Sequence, residues 1–198
     1  MREVNRRTVG SDLVDELFPS RWSPRAFTGK RITDDEFLAL IEAARWAPSS
    51  FNEQPWRFIS AARDGDSWEA FNALLSEGNR SWAHRASHLL ILLAKETREN
   101  GEPYPGSAFD CGAAWMSLAL QAQLMGIATH PMGGFDKTAA KDLAKIPEGF
   151  SPLIMIAVGE PGPVETLPEH LQARERSRSQ RKDIEGIMAH TAFSKEWN

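Results

Sequence analysis

Three short polar stretches carry most of the side chains able to do chemistry. In RWSPR (21–25), Arg21 and Arg25 flank Ser23. Forked guanidinium donors beside a hydroxyl suit the oxygens of a phosphate. In PSSFNEQPW (48–56), Ser50, Asn52 and Gln54 offer donors and acceptors of the kind that read a heterocycle edge. Extended back to WAPSSFNEQPW (46–56), it has a tryptophan at each end, Trp46 and Trp56, which suggest anchorage in apolar surroundings. In HPMGGFD (130–136), Gly133 and Gly134 follow Pro131 and Met132. Paired glycines let backbone approach a ligand closely and offer it an N–H. Each stretch also has a plain structural reading: a basic loop, a capped turn, a tight turn. A flat, amide-edged ring with a phosphate tail accounts for all three together.

Other chemistries find less support. The chain has no GxGxxG and no Walker-type loop, so the common dinucleotide and nucleoside triphosphate motifs are missing. His84 and His88 are spaced i, i+4, but no acidic residue completes a metal set, and no metal is expected. Ser49 lacks a nucleophile-elbow context. Cys111, the only cysteine, reads as a small buried hydrophobe, with a nucleophile as the lesser alternative. It excludes an intramolecular disulfide and suits a reducing compartment, so a cytoplasmic location is expected. No apolar run approaches a membrane span, and MREVNRRTVG lacks the apolar region of a secretory signal; no membrane partner is expected.

The 198 residues suffice for one domain with its own core, and 41% hydrophobic with 25% charged residues is ordinary for a globular chain. The net charge of −4 argues against nucleic acid as a partner. Positive charge gathers in two places, Arg21–Arg31 and Arg174–Glu185. These are either two solvated faces or, if folding joins them, one site for a small anion.

The elements that must position these stretches follow from pattern. Thr33 and Glu36 form a capping box ahead of an apolar helical spacing (Phe37, Leu40, Ile41, Ala44), ended by Pro48. RFISAA (57–62), HLLILLAK (88–95) and LIMIAVGE (153–160) read as strands, the second buried on both faces. ATHPMGGFD (128–136) reads as a short strand or turn. A helix is expected from Asp66 to about Ser76, a long one through GSAFDCGAAWMSLALQAQLMGI with Gly126 as its stop, and a short one near 138–144. The long helix is apolar nearly all round, which places it in a core or a subunit interface. PGPVETLPEH reads as irregular. The whole suggests an α+β or α/β layered domain.

In order along the chain, RWSPRAFTGKRITDDEFLALIEAARWAPSSFNEQPWRFI, FDCGAAWMSLALQAQLMGIATHPMGGFD, IPEGFSPLIMIAVGEP and RKDIEGIM resemble segments of the FMN-dependent nitroreductase family. The resemblance implies an α+β, nitroreductase-like three-layer sandwich: a central, mostly antiparallel sheet flanked by helices, in an intertwined homodimer. One domain would span 1–198, its tail from about 170 contacting the partner subunit. Arg21 and Ser23 would hold the FMN phosphate and ribityl region, and Arg25 would approach the pyrimidine. Ser50, Asn52 and Gln54 would reach across from the partner, with the tryptophans anchoring them at the interface. Asn79 would contact the pyrimidine or ribityl side. Pro131, Met132, Gly133 and Gly134 would face the ring, and Arg181, with Ser179 or Arg178, would complete the phosphate grip. Trp82 and Ser179 stand where other members carry lysine, and His130 has no assigned role. The implied activity is hydride transfer from NAD(P)H through FMN to a nitroaromatic, quinone or similar electrophile, with no catalytic side chain. The alternatives are related FMN chemistry (flavin fragmentation, dehalogenation or desaturation) and a flavin carrier or sensor.

Overall fold

The computed structural model describes residues 11–177 and 179–193. Seven helices occur among them: α1 (Leu17–Ser20), α2 (Asp34–Arg45), α3 (Trp68–Leu74), α4 (Glu77–Ala83), α5 (Ser107–Leu124), α6 (Lys137–Leu143) and α7 (Glu169–Arg176). The strands are β1 (Trp56–Ala62), β2 (His88–Lys95), β3 (Ala128–Met132) and β4 (Phe150–Gly159). They form one sheet in the order β1-β2-β4-β3, every pair antiparallel.

The central position of β2 explains its unbroken apolar sequence. Side chains alternate across a strand. Leu89, Ile91 and Leu93 join Trp68, Phe71, Trp82, Met155 and Ala157 on one face. Leu90, Leu92 and Ala94 join Leu40, Ala44, Cys111, Leu118 and Val158 on the other. The sheet is thus the middle of three layers, with α3, α4 and α6 on one side and α2 and α5 on the other. Each fully buried leucine contributes about 1.5–3 kcal/mol. The β2–β4 register slips between Leu92 and Leu93, opposite Pro152, which has no N–H to give the ladder.

Local signals explain the helix ends. The Thr33 side chain accepts from Glu36 N–H while Glu36 reaches back to Thr33 N–H. Gly126, at φ +72°, follows the end of α5. The helix expected from 66 to 76 is instead split. Leu75 is extended (ψ 143°) and bridges Phe135, and α4 begins two residues later. PGPVETLPEH, expected to be irregular, holds only a short 3-10 turn (Val164–Thr166) before its last two residues start α7, and the basic stretch that follows is helical to Arg176.

α5 is only half covered by its own chain. Cys111, Ala114, Leu118 and Ala122 are buried, while Phe109 and Leu124 are 83% and 69% exposed. Trp56 lies in the core at 6% exposure, whereas Trp46 is 74% exposed, its indole N–H donating to Glu42. The two tryptophans therefore do different jobs. Trp56 fixes the segment in its own core, not at a subunit surface, because it begins β1 facing the α2–α5 layer.

Candidate functional site

The two basic clusters meet. Arg21, Trp22, Ser23 and Arg25 line one wall of a cleft of about 460 Å³, and Arg174, Ser177, Ser179 and Arg181 line the other, with His130 between them. Four guanidinium groups and three hydroxyls converging on one concavity are a donor set for an anion with several oxygens. Arg178 lies outside the described residues.

Close backbone packing fixes the first wall. Gly162 N–H donates to Ala26 C=O at 2.7 Å, and Phe27 bridges Pro161. A Cβ on Gly162 would come within 2.5 Å of the Phe27 backbone, so only glycine permits this approach. Glu175 of α7 then clamps the segment. It is 3% exposed, and its Oε1 accepts from the N–H of Arg25 (2.8 Å) and of Ala26 (3.0 Å). Its Oε2 lies 3.8 Å from Arg25 Nη1. On the other side, His130 Nδ1 lies 3.0 Å from Pro24 C=O; against a carbonyl the ring nitrogen must be the donor.

Below these groups lies Trp82, 2% exposed, 4.6 Å from the His130 ring and 5.9 Å from the Arg25 guanidinium. Trp82 is a core residue that backs two cleft-lining side chains, His130 and Arg25, rather than lining the cleft itself. Burial chiefly pushes His130 down to about 4, with Arg25 and Arg174 adding to the effect, so the imidazole is neutral near pH 7. Burial also lowers Arg25, Arg174 lowers it further, and Glu175 opposes both.

β3 carries this surface onward from His130 to the glycine turn. Gly134 C=O accepts from Asn79 Nδ2 and from Ser76 N–H, both at 3.0 Å. A Cβ on Gly134 would sit 3.0 Å from Asn79 Nδ2 and from Ser76 Oγ, so α4 and the turn touch through the missing side chain. A Cβ on Gly133 would meet nothing within 4 Å: the exposed face of the turn is open. Pro131 is half-buried, and Met132, at 2% exposure, turns its side chain into the core, leaving only its backbone for a ligand.

The third stretch stands apart. Phe51, Asn52 and Gln54 have φ of 54°, 58° and 48°, in the left-handed region that costs a non-glycine residue roughly 1–2 kcal/mol each. The segment is held from outside. Asp110 Oδ2 accepts Ser50 N–H at 3.0 Å and the Tyr104 hydroxyl, Ser49 Oγ accepts Gln54 N–H at 3.0 Å, and Gln54 Nε2 donates to Asn52 C=O at 3.0 Å. Arg98 lies against the rings of Tyr104 (4.2 Å) and Phe51 (5.3 Å). Ser50, Phe51 and Asn52 are exposed. The segment touches α5 at Asp110, whereas the wall near Arg21 touches it through Ser20 and Gln123, 3.3 Å apart. Those contacts lie about 20 Å apart along the helix at 1.5 Å per residue. Within one chain, then, Ser50, Asn52 and Gln54 are not brought to the cleft.

Sequence reasoning missed Glu175, Arg174, Ser177 and the position of His130. Arg174 and Ser177 stood in the second basic cluster, but nothing in the sequence distinguished Glu175 from a solvated acid. Cys111 is buried, its thiol pushed up to about 12 chiefly by burial. No group of three or more His, Cys, Asp or Glu among the described residues could hold a metal ion. Among the same residues no helix is long and apolar enough to cross a membrane.

A three-layer α+β fold with an arginine-lined cleft beside a glycine turn defines a class, and comparison with known proteins names it. The nitroreductase family profile matches residues 19–81 and 60–160, and the chain belongs to that family. A protein of Archaeoglobus fulgidus with the provisional name NADH dehydrogenase/NAD(P)H nitroreductase is 28% identical over 150 residues, covering 74% of this chain and 84% of that protein. An uncharacterized 15.4 kDa protein of Mycolicibacterium smegmatis is 31% identical over 149 residues, covering 71% of this chain and 97% of that one. A crystal structure described as an oxidoreductase containing FMN superposes with a TM-score of 0.91 at 38% identity, covering 98% of both chains. A nitroreductase family protein from Streptococcus pneumoniae shares the fold at 20% identity, with a TM-score of 0.71 over 88% of this chain and 98% of that one. The chain is thus a nitroreductase-family oxidoreductase.

Proposed function

We propose that this chain binds FMN and works as an NAD(P)H-dependent oxidoreductase on a small electrophile such as a nitroaromatic or a quinone. The observation that carries the reading is the cleft joining Arg21, Ser23 and Arg25 to Arg174, Ser179 and Arg181. Its donor set fits a phosphate, and the open face at Gly133 next to it fits a flat ring. The similarity to a structure described as containing FMN supports the same assignment.

When bound, FMN supplies the hydride chemistry; the protein supplies binding, orientation and electrostatics. Arg21 and Ser23, with Arg181 and Ser179 opposite, would grip the phosphate. Arg25 would place positive charge at the pyrimidine end. Neutral His130, tied to Pro24 C=O, would leave the count of positive charges constant through neutral pH. Pro131, Gly133 and Gly134 would support the ring through backbone, with Asn79 holding the turn in place. Ser50, Asn52 and Gln54 would come from a second copy of the chain, since their own chain holds them at the far end of α5. The exposed Trp46, Phe51, Phe109 and Leu124 offer an apolar surface for that copy.

The test is an absorbance spectrum of the purified protein, reconstituted with FMN if needed, before and after anaerobic NADH or NADPH. Flavin bands that bleach on addition are expected. Protein that takes up no FMN would overturn the reading.

A further inference from the structure

Resting on the FMN reading, we infer that Glu175 is the positioning residue of the cleft: it ties the 21–26 backbone to the last helix and sets how much positive charge Arg25 presents to the cofactor. The residues flanking Glu175 diverge. Arg174 lines the cleft, and Arg176 turns outward to Glu165 at 3.1 Å. Glu175 itself points inward, its side chain 1% exposed. One oxygen accepts two consecutive backbone N–H groups, so one carboxylate joins α7 to the Arg21–Arg25 wall.

A tether needs only a neutral acceptor, which glutamine would supply. Among the described residues the second oxygen is buried with no hydrogen-bond partner, an arrangement that costs free energy unless a nearby cation offsets its charge. The cation facing it is Arg25, 3.8 Å away and crowded by Arg174. Glu175 therefore offsets part of the positive charge at the end of the cleft where reduced, anionic FMN would gain most from it.

The experiment compares wild type, Glu175→Gln, Glu175→Ala and the Arg25→Gln pair of each. Its readouts are FMN affinity by fluorescence quenching, the midpoint potential of bound FMN, and the melting temperature of the apoprotein. Glu175→Gln keeps the acceptor and removes the charge. It is expected to hold oxidised FMN within about threefold of wild type and to favour reduced over oxidised FMN about tenfold more, about 30 mV more positive for a two-electron couple. In the Arg25→Gln background that shift is expected to shrink by at least half. Glu175→Ala loses the tether and is expected to weaken FMN at least tenfold. Should Glu175→Gln not fold, Glu175→Asp is read instead: charge kept and reach shortened, it should weaken oxidised and reduced FMN equally. A lower melting temperature with unchanged potential in Glu175→Gln, or unequal weakening in Glu175→Asp, would overturn the inference. Wild-type protein that binds no FMN would instead sink the cofactor reading beneath it.

Discussion

Asp110 and Ser50 are joined by a 3.0 Å hydrogen bond from the Ser50 N–H to Oδ2, and this one contact fixes the polar 49–54 segment to the first turn of α5. The same oxygen accepts from the Tyr104 hydroxyl, and burial followed by Asp110 pushes that phenol up to about 12. Asp110→Ala leaves the buried Tyr104 hydroxyl with only its 3.4 Å contact to Ser50 C=O, while water can reach the exposed Ser50 N–H, so the total cost is about 1–3 kcal/mol. Urea denaturation should show a loss in that range. FMN affinity should fall at least tenfold, because the left-handed turn at Phe51–Asn52 would no longer be held open.

Phe51 combines φ 54° with 90% exposure, so its own chain gains little from that side chain. Phe51→Gly removes the backbone strain, and the melting temperature of the isolated chain should not fall. If the segment inserts into a second copy, burial of the ring is worth about 1.5–3 kcal/mol there. Sedimentation equilibrium should then show dimerisation weakened at least tenfold. An unchanged dimer constant would show that Phe51 lies outside the interface.

His88 gives the fold a signed pH dependence. It is 3% exposed, stacked on Phe37 at 4.2 Å, and lowered from its ordinary 6.5 to about 4, by burial first and Arg31 second, with Asp34 opposing. The unfolded chain takes up a proton below pH 6.5 that the native state excludes until about pH 4. The stabilisation is therefore full above 6.5 and lost as pH falls through that window, at up to about 1.4 kcal/mol per pH unit for one proton. His130 acts in the same direction. Denaturation midpoints from pH 7 to 4 should fall more steeply for wild type than for His88→Gln.

Where the sequence was legible, a local rule and the tertiary fold agreed. The Thr33–Glu36 capping box, the stop at Gly126 and the strand His88–Lys95 each have a short-range cause, and each stands where expected. Disagreement came where a long-range contact decided. Leu75 leaves its helix because Phe135 pairs with it, and α4, seven residues long, is too short to show a period. Glu175 looked like one more charge in a solvated run, since nothing within the run reveals the Arg25 and Ala26 N–H groups it meets, which lie some 150 residues away. Trp46 and Trp56 looked alike in sequence, but one ends a surface helix and the other opens β1 with its ring in the core. The two arginine clusters could be seen as clusters; their meeting in one cleft needed the fold.

If each FMN site takes its phosphate grip from one chain and its Ser50–Gln54 edge from another, damage to the two parts can be placed on different chains. Co-expression of an Arg21→Ala chain with an Asn52→Ala/Gln54→Ala chain, each carrying a different tag, allows the mixed dimer to be isolated and its flavin counted. A site shared between chains leaves the mixed dimer with one intact and one doubly damaged site. The account predicts about one FMN per mixed dimer, with close to none in either parent homodimer. A mixed dimer as empty as its parents would contradict it, since that is the result for sites built within single chains.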